Sequence, residues 1–261
     1  MALNDPRLGI AWLKASAVAL RSWPLALPGI VLFTIIVSGL LSSLPFVGFV
    51  LANLWTPYAA VLTGTAAREA VAGRRPGYEG LVGAFKDVWA RRQLFTIGLV
   101  YAIWAEIVSL VFALLSREEL QAWKITDEGI DYGSIAANIP WTGALTAFVL
   151  FVPLLMATVF SPLLIWIHRQ SAGKSLFYSF FGSLRSLLPI VIFAVVLFGL
   201  SAAAAAVLDA VLITLGLGGG LFLIAPILIA LIAALSQTGV WCMFADIFQN
   251  TRMEPMDQRP N

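Results

Sequence analysis

Ionisable side chains inside long apolar stretches are the first place to look for chemistry in this sequence, because charge in such surroundings is costly. Glu106 falls near the middle of one stretch, Asp209 in the outer part of another, and Asp246 at the end of a third. An ionised carboxylate at mid-bilayer costs about 2.5–3.5 kcal/mol on insertion scales. Glu106 is therefore expected to face a hydrated cavity or a hydrogen-bonding neighbour. With Asn53 and Gln237, Glu106 and Asp209 would make a candidate intramembrane polar site of the proton-sensitive kind that transporters use. The plainer reading makes Glu106 a packing residue and lets Asp209 reach the outer surface.

Other reactive types point away from catalysis. His168 is the only histidine and lies beside Arg169 with no Cys-rich or His-rich companion, so no typical zinc site is expected. Cys242 is the only cysteine and sits in an apolar run, which suits a buried, inert thiol and leaves no intrachain disulfide. The glycines at 216–220 are followed by no Gly-Lys-Ser/Thr and read as a hairpin turn. No paired catalytic carboxylates, metal cluster or serine–histidine pair falls at one depth. The chain is expected to be no enzyme and to hold no cofactor and no metal.

These residues must be positioned by membrane helices. Of 261 residues, 60% are hydrophobic and 11% charged, with a mean hydropathy of +0.92. That is less than half the charge of a typical soluble domain, about 25%. The apolar residues form long blocks without alternation, residues 189–206 among them, so barrel strands are excluded and helices remain. Six spans are predicted, at about 24–43, 46–67, 95–115, 141–167, 188–214 and 221–247, each near the ~20 residues that cross a bilayer. Residues 1–20 contain Asp5, Pro6, Arg7 and Lys14 and do not read as a cleavable leader.

Loop charge sets the orientation. Arg68, Arg74, Arg75, Lys86, Arg91 and Arg92 lie between the second and third spans. Arg169, Lys174 and Arg185 lie between the fourth and fifth, and Arg7, Lys14 and Arg21 precede the first. The segment 117–140 is instead acidic, with Glu118, Glu119, Asp127, Glu128 and Asp131. Lysine and arginine bias then predicts both termini on the cytoplasmic side. Trp23, Trp89, Trp123, Trp141 and Trp241 are expected near the membrane–water boundaries. The alanine run 202–206 would let helices approach closely.

A pattern recurs along the chain. Leu20-Arg21-Ser22 precedes the first span, Leu184-Arg185-Ser186 the fifth, and Phe85-Lys86-Asp87 with Arg91-Arg92 the third. Each follows an amphipathic run and leads into a hairpin whose second helix contains proline: Pro57, Pro153 with Pro162, and Pro226. Thr56-Pro57 and Ser161-Pro162 share a hydroxyl-proline dipeptide. The spacing suggests a single membrane domain, 1–261, built from three repeats at about 1–73, 74–173 and 174–250. On these Leu-Arg-Ser segments, and on Ser161-Pro162 followed by Ala172-Gly173, the chain resembles a group of uncharacterised bacterial integral membrane proteins made of amphipathic-helix and hairpin units. The resemblance implies a six-span bacterial inner-membrane protein and implies no activity.

The expected architecture is an all-α polytopic bundle with cytoplasmic interfacial helices. Arg74, Arg75, Lys86, Arg91, Arg92, Lys174 and Arg185 are candidate contacts for anionic lipid headgroups, worth about 1 kcal/mol per basic residue near the surface. The expected role is non-enzymatic organisation of lipids or partner membrane proteins, with no nucleic acid involved. The alternative is a small transporter or channel with a proton-sensitive site at Glu106.

Overall fold

The computed structural model describes residues 4–126, 129–216 and 221–249. Gly218, Gly219 and Gly220, the acids Asp127 and Glu128 and the end of the third repeat at 250 lie outside them. The chain runs through α1 (Arg7–Ser22), α2 (Ala26–Ser42), α3 (Gly48–Val71), α4 (Glu79–Lys86), α5 (Val88–Leu115) and α6 (Arg117–Gln121). It continues through α7 (Tyr132–Ala137), α8 (Trp141–Thr158), α9 (Ser161–His168), α10 (Ala172–Arg185), α11 (Leu187–Thr214) and α12 (Leu221–Phe244). A π-helical turn, Ala245–Gln249, ends it. Among the described residues the only strand pairing is a two-residue ladder between Ile125–Thr126 and Gly129–Ile130.

Four helical segments are long and apolar enough to cross a membrane: Val88–Leu115, Trp141–His168, Leu187–Thr214 and Ile224–Gln249. A fifth span is possible if α1 and α2, bent by 100°, are taken together. The difference from six predicted spans has a local cause. Helix α2 alone has 17 residues, short of the ~20 that span the hydrocarbon core. In α3, Asn53, Thr56, Pro57, Tyr58, Thr63 and Thr65 dilute the apolar character.

The bend between α1 and α2 follows from composition. Helix α1 has a polar face bearing Lys14 and Arg21 and a buried stripe of Leu8, Gly9, Trp12, Ser16 and Ala19; α2 is apolar throughout. The two belong in different environments, and Trp23-Pro24 separates them. Helix α1 docks on α11 and α12. The Trp12 indole N–H donates to Asp246 Oδ2 at 2.7 Å, so Asp246 latches α1 to the end of the last helix. Helix α4 packs on α3 and α5, and α10 on α8 and α9.

Three apolar clusters hold the bundle. Phe160, Leu164, Phe193, Trp241 and Phe244 join α9, α11 and α12 to Trp12 of α1. Leu27, Ile30, Leu62, Ala66 and Ala234 join α2, α3 and α12. Val61, Ala84, Leu94, Ile97 and Ile165 join α3, α4, α5 and α9. Trp241 is thus core, 5% exposed, and does not act as the boundary anchor expected; Trp141, 64% exposed, fits that role. Helices α3 and α5 pack together, as do α12 and α2, whereas α8 and α11 scarcely touch.

The basic loops are tied down where helices meet. Arg169 has left-handed backbone, φ 53°, at the end of α9. Its guanidinium pairs with Asp87 and lies 4.8 Å from the Trp89 ring centre. Asp87 also caps α5, accepting from the Trp89 and Ala90 amides at 3.0 and 3.1 Å. The Arg169 guanidinium, with the Ala90 amide, holds the Asp87 carboxyl below the usual aspartate range. A lowered folded-state value means the stabilisation is present above the unfolded value, about 3.9, and is lost as pH falls through the folded one. Asp87→Asn keeps a good cap and loses the ion pair. The pair is solvent-exposed, so the variant should melt only slightly below wild type at pH 7, with the gap closing below about pH 4 in a melting series.

Candidate functional site: a broken span between two cavities

The span Trp141–His168 is broken between α8 and α9. Pro162 cannot donate a backbone bond and enforces φ near −65°, so the helical ladder is interrupted in the turn before it. In lipid the freed groups need protein partners. Helix α10 supplies them. The Ser179 hydroxyl donates to the Met156 carbonyl at 2.8 Å and accepts from the Phe160 amide at 3.1 Å. The Ser183 hydroxyl reaches the same carbonyl at 3.2 Å.

This repair determines how α10 sits. Ala172, Ser175, Ser179 and Ser183 recur at helical spacing and are buried against α8 and α9. The opposite stripe, Lys174, Tyr178, Phe181 and Arg185, is exposed, with Phe177 and Leu184 flanking it. The helix therefore turns its small hydroxyls inward and its rings outward, with a cation at each end of the aromatic stripe. Such a surface suits the membrane interface, where rings lie at headgroup level and long cations reach the polar layer.

The break separates two cavities. One, about 620 Å³, lies between α8, the C-terminal end of α10, α11 and α12. Leu155, Phe160, Phe193, Leu197, Ile229 and Met243 are among its apolar walls. The other, about 190 Å³, lies where α3, α5, α8, α9 and α12 meet and is lined in part by Thr56, Pro57, Tyr101, Thr158, Pro162 and Gln237. Leu155, Val159 and Val240 line both. Gln237 lines the smaller cavity, and its Oε1 lies 3.2 Å from the Thr63 hydroxyl, which is also 3.0 Å from its own helix's Ala59 carbonyl, so one proton can serve either.

The four residues of the expected polar site are not gathered. Gln237 lines the smaller cavity. Asn53 donates back to the Phe49 carbonyl of its own helix at 2.9 Å. Glu106 is exposed on the outside of α5, among Ile103, Ile107 and Leu110. Asp209 is half-buried on α11; neither acid lines either cavity. Of the headgroup candidates, Lys86, Arg91, Arg92, Lys174 and Arg185 are exposed. Arg74 is paired with Glu69, and Arg75 shares an open cleft with Arg68, Glu69 and Glu79. His168 is half-buried with its ring 5.7 Å from that of Phe244, and Cys242 is buried. The serine face of α10 escaped the sequence reading, although its i, i+4, i+8 repeat at 175, 179 and 183 is visible there.

The fold and site define an all-helical protein with several helices able to cross a membrane. No protein-family model matches the chain, and no curated protein or solved structure is similar to it.

Proposed function

We propose that this is a non-enzymatic, six-span integral protein of a bacterial inner membrane, with both termini cytoplasmic, that organises anionic lipid through a belt of interfacial helices. The observation that carries the reading is the outward stripe of α10, with rings between Lys174 and Arg185. Exposed Ile10 and Val18 with Lys14 on α1, and exposed Val82 and Phe85 with Lys86 on α4, extend the same chemistry. The threefold repeat is part of this reading. Its support is that each amphipathic helix packs on the second arm of the hairpin before it: α4 on α3, α10 on α8 and α9, and, closing the circle, α1 on α12. Helices α2 and α3 would then form the first hairpin of the six spans.

The test is the lipid recovered with the protein in polymer-bounded discs cut from the membrane. Phosphatidylglycerol and other anionic lipids should be enriched over the bulk membrane. Neutralising Lys86, Arg92, Lys174 and Arg185 together should reduce that enrichment by at least half. A bulk-like lipid composition around the wild type overturns the reading.

Transport through Glu106 has lost its motive, since the side chain is exposed on α5 and lines neither cavity. Glu106→Gln should leave both the melting temperature and the lipid enrichment within error of wild type. A proton flux in proteoliposomes that this substitution abolishes would restore the transport reading.

A further inference from the structure

We infer that the 620 Å³ cavity between α8, α10, α11 and α12 is a seat for one acyl chain of an anionic phospholipid whose headgroup lies against Arg185. The inference rests on the lipid-organising reading and gives it a specific site. Three observations lead to a lipid tail.

The first is shape. The walls contributed by α11 run from Leu187 to Ser201, a rise of about 21 Å at 1.5 Å per residue. One leaflet of hydrocarbon is about 15 Å deep, so the slot accepts the length of a membrane chain. Its volume is about four times that of the cavity that takes a benzene ring, about 150 Å³.

The second is polarity. Of the three hydroxyls in the lining, Ser183 is used on the Met156 carbonyl and Ser201 on the Leu197 carbonyl at 2.6 Å, and Ser236 is the third. The remaining walls are largely hydrocarbon and aromatic, with buried Phe160 and Phe193 on the protein side. Leu155, Leu187, Phe198 and Ile229 are lining residues that are also exposed at the outer surface. The slot therefore opens where lipid would lie.

The third is charge at one end. Ser183 and Leu187 line the slot, and exposed Arg185 stands between them in sequence at the end of α10. Helix α10 carries Lys174 and Arg185 and no acid. A cation at the interfacial end and an apolar trough beyond it match a phosphate-bearing headgroup followed by its chain. The slot exists because α8 and α11 scarcely touch, while α3 meets α5 and α12 meets α2. A chain seated there would complete the seam.

The experiment uses the full-length protein in phosphatidylcholine vesicles containing phosphatidylglycerol with a diazirine near the end of one acyl chain. After irradiation, wild-type label should fall on Phe193, Leu197 and Ile232 at least fivefold above the outer face of α5 at Ile103, Ile107 and Leu110. Ala194 is exposed and lines the slot. Ala194→Trp should fill the space and reduce slot labelling at least fivefold, while anionic lipid enrichment around the belt persists. Arg185→Gln should bring labelling by the phosphatidylglycerol probe down to that of the matching phosphatidylcholine probe. Even labelling of slot and α5 face in the wild type, which depends on no variant folding, overturns the seat. So does slot labelling unchanged in a folded Ala194→Trp protein, or a wild-type dimer that Ala194→Trp converts to monomer. Loss of belt enrichment with slot labelling intact would instead remove the broader reading and leave the seat.

Discussion

Replacing Gly9 with valine is expected to lift α1 off the bundle and lower the melting temperature in detergent by on the order of 10 °C. A Cβ at Gly9 would lie 2.5 Å from the Pro189 carbonyl oxygen and 3.0 Å from the Phe193 amide nitrogen. Both are backbone atoms of a packed helix, so no side-chain rotation relieves the overlap, and α1 must move away from α11. Its buried Leu8 and Trp12 move with it, and the Trp12–Asp246 hydrogen bond is strained or lost. Losing a buried aromatic side chain from a core costs about 3–5 kcal/mol. Gly9→Ala should already show the effect, since the overlap is made by the Cβ itself. Gly199, in the middle of α11, has nothing within 4 Å of its Cβ position. Gly199→Ala should leave melting unchanged or raise it slightly through its better helix propensity. Equal melting of the Gly9 and Gly199 variants would mean that α1 is not docked as described.

The second large effect concerns the broken span. Ser179→Ala removes the acceptor for the Phe160 amide and one of two hydroxyls on the Met156 carbonyl. Ser179 and Phe160 are both fully buried, so no outside water is at hand to replace the bond. A buried donor left unsatisfied costs about 1–3 kcal/mol. Ser179→Ala should therefore melt well below wild type. Ser22→Ala, which removes an exposed hydroxyl bonded to the Val18 carbonyl of its own helix, should have little effect. A double variant with Ser183→Ala should be worse than Ser179→Ala, because the Met156 carbonyl would then lose both partners. Indifference of melting to both serines would mean that α8 and α9 do not need α10 to close the break.

Long-range order along the chain was legible where it depends on composition. Uninterrupted apolar blocks predicted helices in the right places, with observed α5 and α11 at Val88–Leu115 and Leu187–Thr214 against expected 95–115 and 188–214. The short amphipathic helices α1 and α10 were legible from their basic residues and from the prolines that follow, and α4 from Lys86 and the arginines after it. Which face of α10 turns inward was not. Amphipathic periodicity identifies two stripes without a sign, and a membrane reverses the soluble rule by offering an apolar surrounding. Only the broken ladder at Met156 and Phe160 explains why serines are inside and rings outside. Glu106 was singled out because its type is costly in lipid, yet its position on the outer side of α5 depends on helix rotation, which the residue type does not encode. The large cavity was equally hidden, because it arises from the spacing of α8 and α11 rather than from any motif.

The orientation of α10 is the point on which the functional account turns, and it can be measured in the membrane. Cys242 is the sole cysteine, so Cys242→Ser gives a background in which Phe181→Cys carries the only nitroxide label. Collision rates with lipid-soluble oxygen and with a water-soluble nickel chelate report what surrounds it. The account predicts a label more accessible to oxygen than to nickel, at a depth just below the headgroups, and a Ser179→Cys label shielded from both. A label at 181 dominated by nickel, or shielded from both reagents, would place the aromatic stripe in water or against protein and contradict the account.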